Sequence, residues 1–254
     1  MTNNGLLSYM HSTGALGDHF PKHQQLLFET VAGSYARGVA RPDSDIDVVG
    51  IYAPLYNDLY PVTVPGFGSK VDAFKGAQIS RCVDVPHLGE VTIDAQAFDV
   101  VHFFNLLLKG SPNHVEYLFF DPMFQDTSNA GDYLLQVRNR FVNGRFVERS
   151  IAAGFSILNK GNATNKQCAL AHRFFSYACQ AMLKKRLFPE LITKTNNMLL
   201  TVQREVAEAI AYSVGEHASS LEERMEPSQD VDEEAVNIIL LKLLRLQWTE
   251  RSDG

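Results

Sequence analysis

The stretch that most limits what this chain can fold into is Gly33-Ser34-Tyr35-Ala36-Arg37-Gly38, followed by Asp43-Ser44-Asp45-Ile46-Asp47-Val48-Val49-Gly50-Ile51-Tyr52. A glycine–serine turn leads through a basic loop into an apolar run that opens with carboxylates two residues apart. Ile46, Val48, Val49 and Ile51 read as a strand buried in a sheet. Side chains alternate faces along a strand, so Asp45 and Asp47 point the same way. Two carboxylates held about 5 Å apart repel by roughly 3 kcal/mol at an effective dielectric near 20. A fold has little reason to accept that unless a cation sits between them, and oxygen donors suit hard divalent ions. Counted from Asp43, the glycine and glutamate positions of an EF-hand calcium loop hold Val48 and Pro54, so that reading fails. Magnesium remains, and it brings phosphates with it. Arg37 and Arg41 lie between turn and strand, where phosphate charge is welcome; the plainer reading makes them solvent-exposed loop arginines.

Other motifs fall away on inspection. Gly66-Phe67-Gly68-Ser69 lacks the third glycine and the following helix of a dinucleotide loop, and no Gly-Lys-Ser/Thr closes a P-loop. His114-Val115-Glu116 is half of a zinc-deaminase motif, without the Pro-Cys-x-x-Cys that must follow. No Gly-x-Ser-x-Gly elbow is present. A net charge of −6 argues against coating duplex nucleic acid through bulk electrostatics, though not against a local basic patch. The three cysteines (Cys82, Cys168, Cys179) are scattered and odd in number, which suits a reducing cytosol rather than a disulfide framework or zinc site. With no basic leader and no uncharged apolar run near the roughly 20 residues that span a bilayer, the expectation is a soluble cytoplasmic protein that makes no membrane contact.

In chain order, residues 1–24 read as an irregular lead-in or short helix. Gln25 to Ala32 reads as a first strand and Asp45 to Tyr52 as a second. Residues 53–89 are rich in Pro, Gly and Tyr, with Lys70 to Ser80 as a hairpin strand. Val91 to Phe98 alternates as a further strand. Asp99 is a plausible N-cap for an apolar helix from Val100 to Leu108, stopped by Lys109-Gly110, and Ser111-Pro112 opens another short helix that ends by Asp121-Pro122. Beyond it the signals are helical: Asp132 to Val142, Arg145 to Asn159, and Thr164 to about Leu187, opened by a capping box with Gln167. Asn197 to Ser213 follows, with Leu199, Val202, Val206 and Ile210 on one face. Ser219 to Asp232 reads as a charged linker, and Asp232 to Gln247 as a last helix with Val236, Ile239, Leu240, Leu243 and Leu246 on its apolar face. The expected architecture is α+β: a domain over residues 1–122 and an all-helical domain over 123–254.

Gly33-Ser34 with Asp45-x-Asp47 leading an apolar strand resembles the signature of the DNA-polymerase-beta-like nucleotidyltransferase superfamily. The segment Phe103 to Glu116, running through Leu106-Leu107-Leu108-Lys109-Gly110-Ser111-Pro112-Asn113 to Glu116, is similar to one bacterial and phage branch that includes RNA-repair-associated members. His172-Arg173 on a long helix resembles the helical half of that branch. The likeness covers roughly Leu26 to Leu187.

The resemblance implies a mixed β-sheet with flanking helices for the first domain, and an active site between the two domains. It also implies an NTP donor, most readily ATP, and two magnesium ions, with manganese as a substitute. By that likeness Gly33 lets backbone approach the phosphates and Ser34 donates to them. Asp45 and Asp47 hold metal. Arg37, Arg41, Lys109, His172 and Arg173 are nucleotide-binding candidates. For His172 the bland alternative is a buried, satisfied histidine. Asn113 and Glu116 read rather as bracing the short helix. The third carboxylate comes from the Val91 to Phe98 strand. Asp94 is the choice there, Asp99 the rival suited to an N-cap, and Glu90 a third candidate. The long aromatic-rich insert, including Tyr52, Tyr56, Tyr60, Phe67 and Phe74, reads as an extra hairpin and lid. The expected reaction is transfer of a nucleoside monophosphate to a hydroxyl. An RNA end leads as acceptor, a small molecule or protein side chain follows, and a non-catalytic nucleotide-binding or regulatory module on the same fold is the alternative from another class.

Overall fold

The computed structural model describes residues 5–17, 20, 25–53, 76–120, 122–125, 129–224 and 233–252. The insert expected at 53–89 therefore lies largely outside the described residues, including Tyr56, Tyr60, Phe67 and Phe74. The chain forms two compact units that interleave along the sequence rather than meeting at one point near residue 122. The first takes in Met1–Asn105, Phe120–Leu135 and Ile238–Gly254, and the second takes in Leu106–Phe119 and Gln136–Asn237.

The first unit is built on a five-stranded mixed sheet of order β3-β4-β2-β1-β5. Its strands are β1 (Gln25–Val31), β2 (Ile46–Ala53), β3 (Gly76–Val85), β4 (Gly89–Asp99) and β5 (Pro122–Gln125). β2 is parallel to β4 and antiparallel to β1, while β3 and β4 form an antiparallel hairpin. The central position of β2 explains its near-continuous apolar sequence, since a strand covered on both faces has no polar side to offer. β4 keeps the period of two: Ile93, Ala95 and Ala97 are buried, while Asp94, Gln96 and Phe98 are half-buried. β5, which pairs with β1, has no counterpart in the expected elements. Four residues beginning with a proline carry almost no strand signal, and only an edge strand tolerates one there.

The lead-in segment is more ordered than its composition suggests. Helix α1 (Leu6–Ser12) carries Leu6, Leu7 and Met10, which pack with Leu16 and Phe20 against Ile46, Val48, Tyr52, Val83, Val85, Ile93, Ala95 and Ala97. That covers one face of the sheet and leaves Asp47 and Asp94 on the other, because they alternate with Ile46, Val48, Ile93 and Ala95. The N-cap of α1, Gly5, has no side chain to offer. Glu29 of β1 substitutes for it: Oε1 accepts from the backbone N–H of Leu6 at 2.8 Å and Oε2 from that of Leu7 at 3.3 Å.

Short helix α2 (Gly33–Ala36) follows β1, and α3 (Val100–Leu108) follows β4 directly. Asp99 caps α3 as expected, its Oδ1 accepting from Val101 N at 2.8 Å and His102 N at 3.2 Å. Gly110, at φ +67°, ends it. The short helix α4 (Pro112–Tyr117) starts on its proline. Helix α5 (Asn129–Val137) runs into a 3₁₀ turn at Arg138–Phe141.

In the second unit, α6 (Gly144–Leu158), α8 (Pro189–Thr201) and α9 (Arg204–Arg224) pack on α7 (Asn165–Lys184). The capping box at the start of α7 forms as expected: Gln167 N donates to Thr164 Oγ1 at 3.3 Å, and Thr164 N donates to Gln167 Oε1 at 2.8 Å. Three expectations fail. The helix expected over Asn197 to Ser213 is two helices, broken at Val202, which is extended at ψ 169°. Asn165 stabilises the break from a distance, its Nδ2 donating to the carbonyls of Leu199 at 3.0 Å and Val202 at 2.7 Å. The inward face of α9 is also not the expected one. Ala207, Ala211, Gly215 and Ala218 are buried, whereas Val206 is exposed. Small residues are needed there: a Cβ on Gly215 would meet Phe175 Cζ at 2.7 Å. Nor does a linker begin at Ser219, because α9 runs on to Arg224. The last helix, α10 (Glu233–Ser252), buries Val236, Ile239, Leu240 and Leu243.

Candidate active site

The glycine–serine turn and the acidic strand meet at one point. Gly33 has φ +59°, and a Cβ there would overlap the Asp47 carboxylate, approaching its Cγ to 2.5 Å. Only glycine fits this position, for backbone conformation and for space. Ala32 N donates to Asp47 O at 2.8 Å, tying the start of the turn to the strand. Inside the turn Ala36 N donates to Ala32 O (3.2 Å), Gly38 N to Tyr35 O (3.1 Å) and Val39 N to Ser34 O (3.0 Å). The following loop is closed by a reciprocal pair, Arg41 N to Ser44 Oγ (2.9 Å) and Ser44 N to Arg41 O (3.0 Å), immediately before Asp45. Arg41 and Asp45 are exposed; Ser34, Arg37 and Asp47 are half-buried.

The parallel register puts Asp47 of β2 directly beside Asp94 of β4. Adjacent strands lie about 4.8 Å apart, so the two carboxylates are near neighbours on one face. Ser80 of β3 pairs with Asp94 and extends the polar row by one strand; no sequence signal marked it. The rival third carboxylate is elsewhere. Asp99 pairs with Tyr52, five residues along, or roughly 17 Å away at the strand rise. It is buried under α3 as that helix's cap, and burial raises its pKa to about 6 against the two backbone hydrogen bonds that lower it. Glu90 pairs with Asp84 near the hairpin turn. Among the described residues no three metal-ligating side chains already converge as a cage. Asp45 is exposed and lies just before β2, outside the strand ladder that fixes Asp47 and Asp94.

Comparison with known proteins bears on this arrangement. The model of the RNA repair pathway DNA polymerase beta family (RlaP) matches residues 18–150, just over half of the chain. The chain belongs to that family. The matched segment contains Gly33, Ser34, Asp45, Asp47, Asp94 and Lys109. Among solved structures, a nucleotidyltransferase-like protein from Exiguobacterium sibiricum is similar at 8% identity and a TM-score of 0.33, over 87% of this chain and 75% of that one. Among curated proteins none matches.

His172 and Arg173 lie beyond the segment that matches the RNA repair pathway DNA polymerase beta family, and within the second unit both are 5% exposed. His172 Nδ1 pairs with Asn196 Oδ1 at 3.1 Å, and burial lowers the pKa of the ring against that hydrogen bond. Arg173 Nη2 donates to Asn113 Oδ1 at 3.1 Å and stands 3.6 Å from Glu116 Oε2. Tyr177 donates its hydroxyl to Glu116 Oε1 at 2.5 Å. Segments 60 residues apart in sequence thus converge in one polar network joining α4 to α7. Asn113 and Glu116 brace α4 here, and Arg173 has its partners inside the same unit. Tyr177 is the member that sequence reasoning missed, since a tyrosine in an apolar helix face carries no distinguishing signal. Lys109 is exposed at the C-terminal end of α3, a favourable place for a cation. Among the described residues no helix is long and apolar enough to cross a membrane.

Proposed function

We propose that this protein is a nucleotidyltransferase that moves a nucleoside monophosphate from an NTP, with ATP as donor, to the hydroxyl of an RNA end. The observation that carries the reading is the Asp47–Asp94 pair on adjacent parallel strands, with Asp47 seated against Gly33. Two carboxylates about 5 Å apart repel by roughly 3 kcal/mol, which a bound cation relieves. The description of the family supports RNA repair as the setting. The acidic net charge favours recognition of an end over a length of duplex.

Asp45, Asp47 and Asp94 present oxygen donors only, which fits hard divalent cations, and we assign them two magnesium ions, with manganese as a substitute. Bound there, the ions supply neutralisation of phosphate charge and a lower pKa for the attacking hydroxyl. Ser34 and the backbone beside Gly33 line the triphosphate, while Arg37 and Arg41 balance its remaining charge. The acceptor oxygen forms a bond to the α-phosphorus as the bond to pyrophosphate breaks in line. The hydroxyl proton passes to a carboxylate oxygen of Asp94, and pyrophosphate departs. Most of the acceleration comes from positioning and charge stabilisation. Lys109 is retained as a contributor to nucleotide binding; His172 and Arg173 have structural partners, and the mechanism does not need them.

The test is transfer of label from each α-³²P NTP, with magnesium, to RNA, protein and small-molecule acceptors. Asp47→Asn and Asp94→Asn should each reduce transfer about a thousandfold, while Asp99→Asn, which keeps an N-cap side chain, stays active. Full activity in Asp94→Asn, or no magnesium-dependent transfer to any acceptor, would refute the proposal. Label appearing only on a protein or a small molecule would overturn the acceptor.

A further inference from the structure

Tyr35 is exposed, at 40%. Phe28, Tyr52, Phe103 and Phe104 of the first unit are buried, and Phe98 is half-buried. A lone exposed hydrophobic group on a protein surface is ordinary. Its position is not. Tyr35 lies two residues after the glycine that seats Asp47, inside a turn whose backbone is pinned by the Ala36, Gly38 and Val39 N–H groups. Its own carbonyl accepts one of those bonds, so the backbone that carries the ring is tied into the turn. Along the chain Tyr35 is followed by Arg37 and Arg41, spaced by Ala36, Gly38, Val39 and Ala40. An exposed aromatic face on a hydrogen-bonded turn, with two arginines close by in sequence, has the parts by which proteins stack single nucleobases without reading their sequence.

We infer that Tyr35 is a nucleobase-stacking platform at the edge of the Gly33–Asp47 turn and sets the affinity of the site for a base. The inference deepens the nucleotidyltransferase reading and rests on it for the location of the turn's ligand. Two sources present the same π-face: the base of the donor triphosphate, and the terminal base of a single-stranded RNA acceptor. Stacking tolerates any base, so the ring contributes affinity with little base preference. Because the hydroxyl is not what stacks, phenylalanine should replace tyrosine and alanine should not.

The experiment uses the full-length protein and two fluorescent probes whose emission is quenched on stacking: 2-aminopurine riboside triphosphate, and an oligoribonucleotide ending in 2-aminopurine. Quenching of either probe by the wild type supports the platform, and which probe responds identifies the source. Tyr35→Phe should bind the responding probe as the wild type does, and Tyr35→Ala about tenfold or more weaker. Circular dichroism of Tyr35→Ala checks that the turn still folds. Quenching of neither probe by the wild type, or equal binding by Tyr35→Ala and wild type, would overturn the inference. Label transfer without Tyr35-dependent quenching leaves the reaction standing and removes the platform. Quenching without any label transfer does the reverse.

Discussion

Replacing Glu29 with glutamine should remove a pH dependence of stability that this structure builds in. The Glu29 carboxylate is wholly buried in β1 and serves as the missing cap of α1. Burial pushes its pKa up from 4.5 to about 7, against the opposing pull of the Leu7 and Leu6 backbone N–H groups. A folded value above the unfolded one means that the folded state holds the proton more tightly. The stability this contributes is complete below pH 4.5 and is lost as pH rises through about 7. At 1.36 kcal/mol per pH unit the loss amounts to about 3 kcal/mol. The Tyr52 phenol is pushed up in turn, by burial first and then by the Glu29 charge. Glutamine keeps an oxygen for the Leu6 N–H and cannot ionise. The difference in unfolding free energy between wild type and Glu29→Gln, measured by urea denaturation from pH 5 to pH 8, should therefore swing toward the variant by about 3 kcal/mol. The ¹³C shift of the Glu29 carboxyl should titrate near neutrality. A difference that is flat with pH, or a carboxyl midpoint below about 5, would refute the assignment of Glu29 as a buried cap.

Gly33→Ala should cost about 1–2 kcal/mol from the positive φ alone, and it should reduce nucleotidyl transfer far more than stability, because the new methyl displaces the Asp47 carboxylate; urea melts and label transfer on one preparation check the ratio. Glu116→Ala should destabilise the second unit by about 3–5 kcal/mol, since it strands Arg173 in the interior, whereas Tyr177→Phe should cost about 1 kcal/mol; thermal unfolding of both variants measures the gap. Asn165→Ala should free the carbonyls of Leu199 and Val202 and speed amide exchange at the junction of α8 and α9, with little effect elsewhere.

Local sequence determined a good deal here. Capping chemistry placed Asp99 at the start of α3 and Thr164 with Gln167 at the start of α7, because a cap is satisfied by backbone groups two or three residues away. The period of two placed Asp47 and Asp94 on strands, and the like charges of Asp45 and Asp47 pointed to a cation before any partner strand was known; Asp94 came only from the family resemblance. Tertiary structure decided the rest. That Asp94 and not Asp99 stands beside Asp47 is a matter of parallel register, and register is set by strands far apart in sequence. The break at Val202 comes from Asn165, 37 residues away, and the small-residue face of α9 comes from the ring of Phe175. Helical periodicity sees neither, since both are demands of a neighbouring helix. Glu29 looked like one polar residue in a strand, and only the seating of α1 on the sheet made it a cap. Gly33 carries both halves of the lesson: its sequence announced a turn, and only the fold filled the space of its missing side chain with the carboxylate of Asp47.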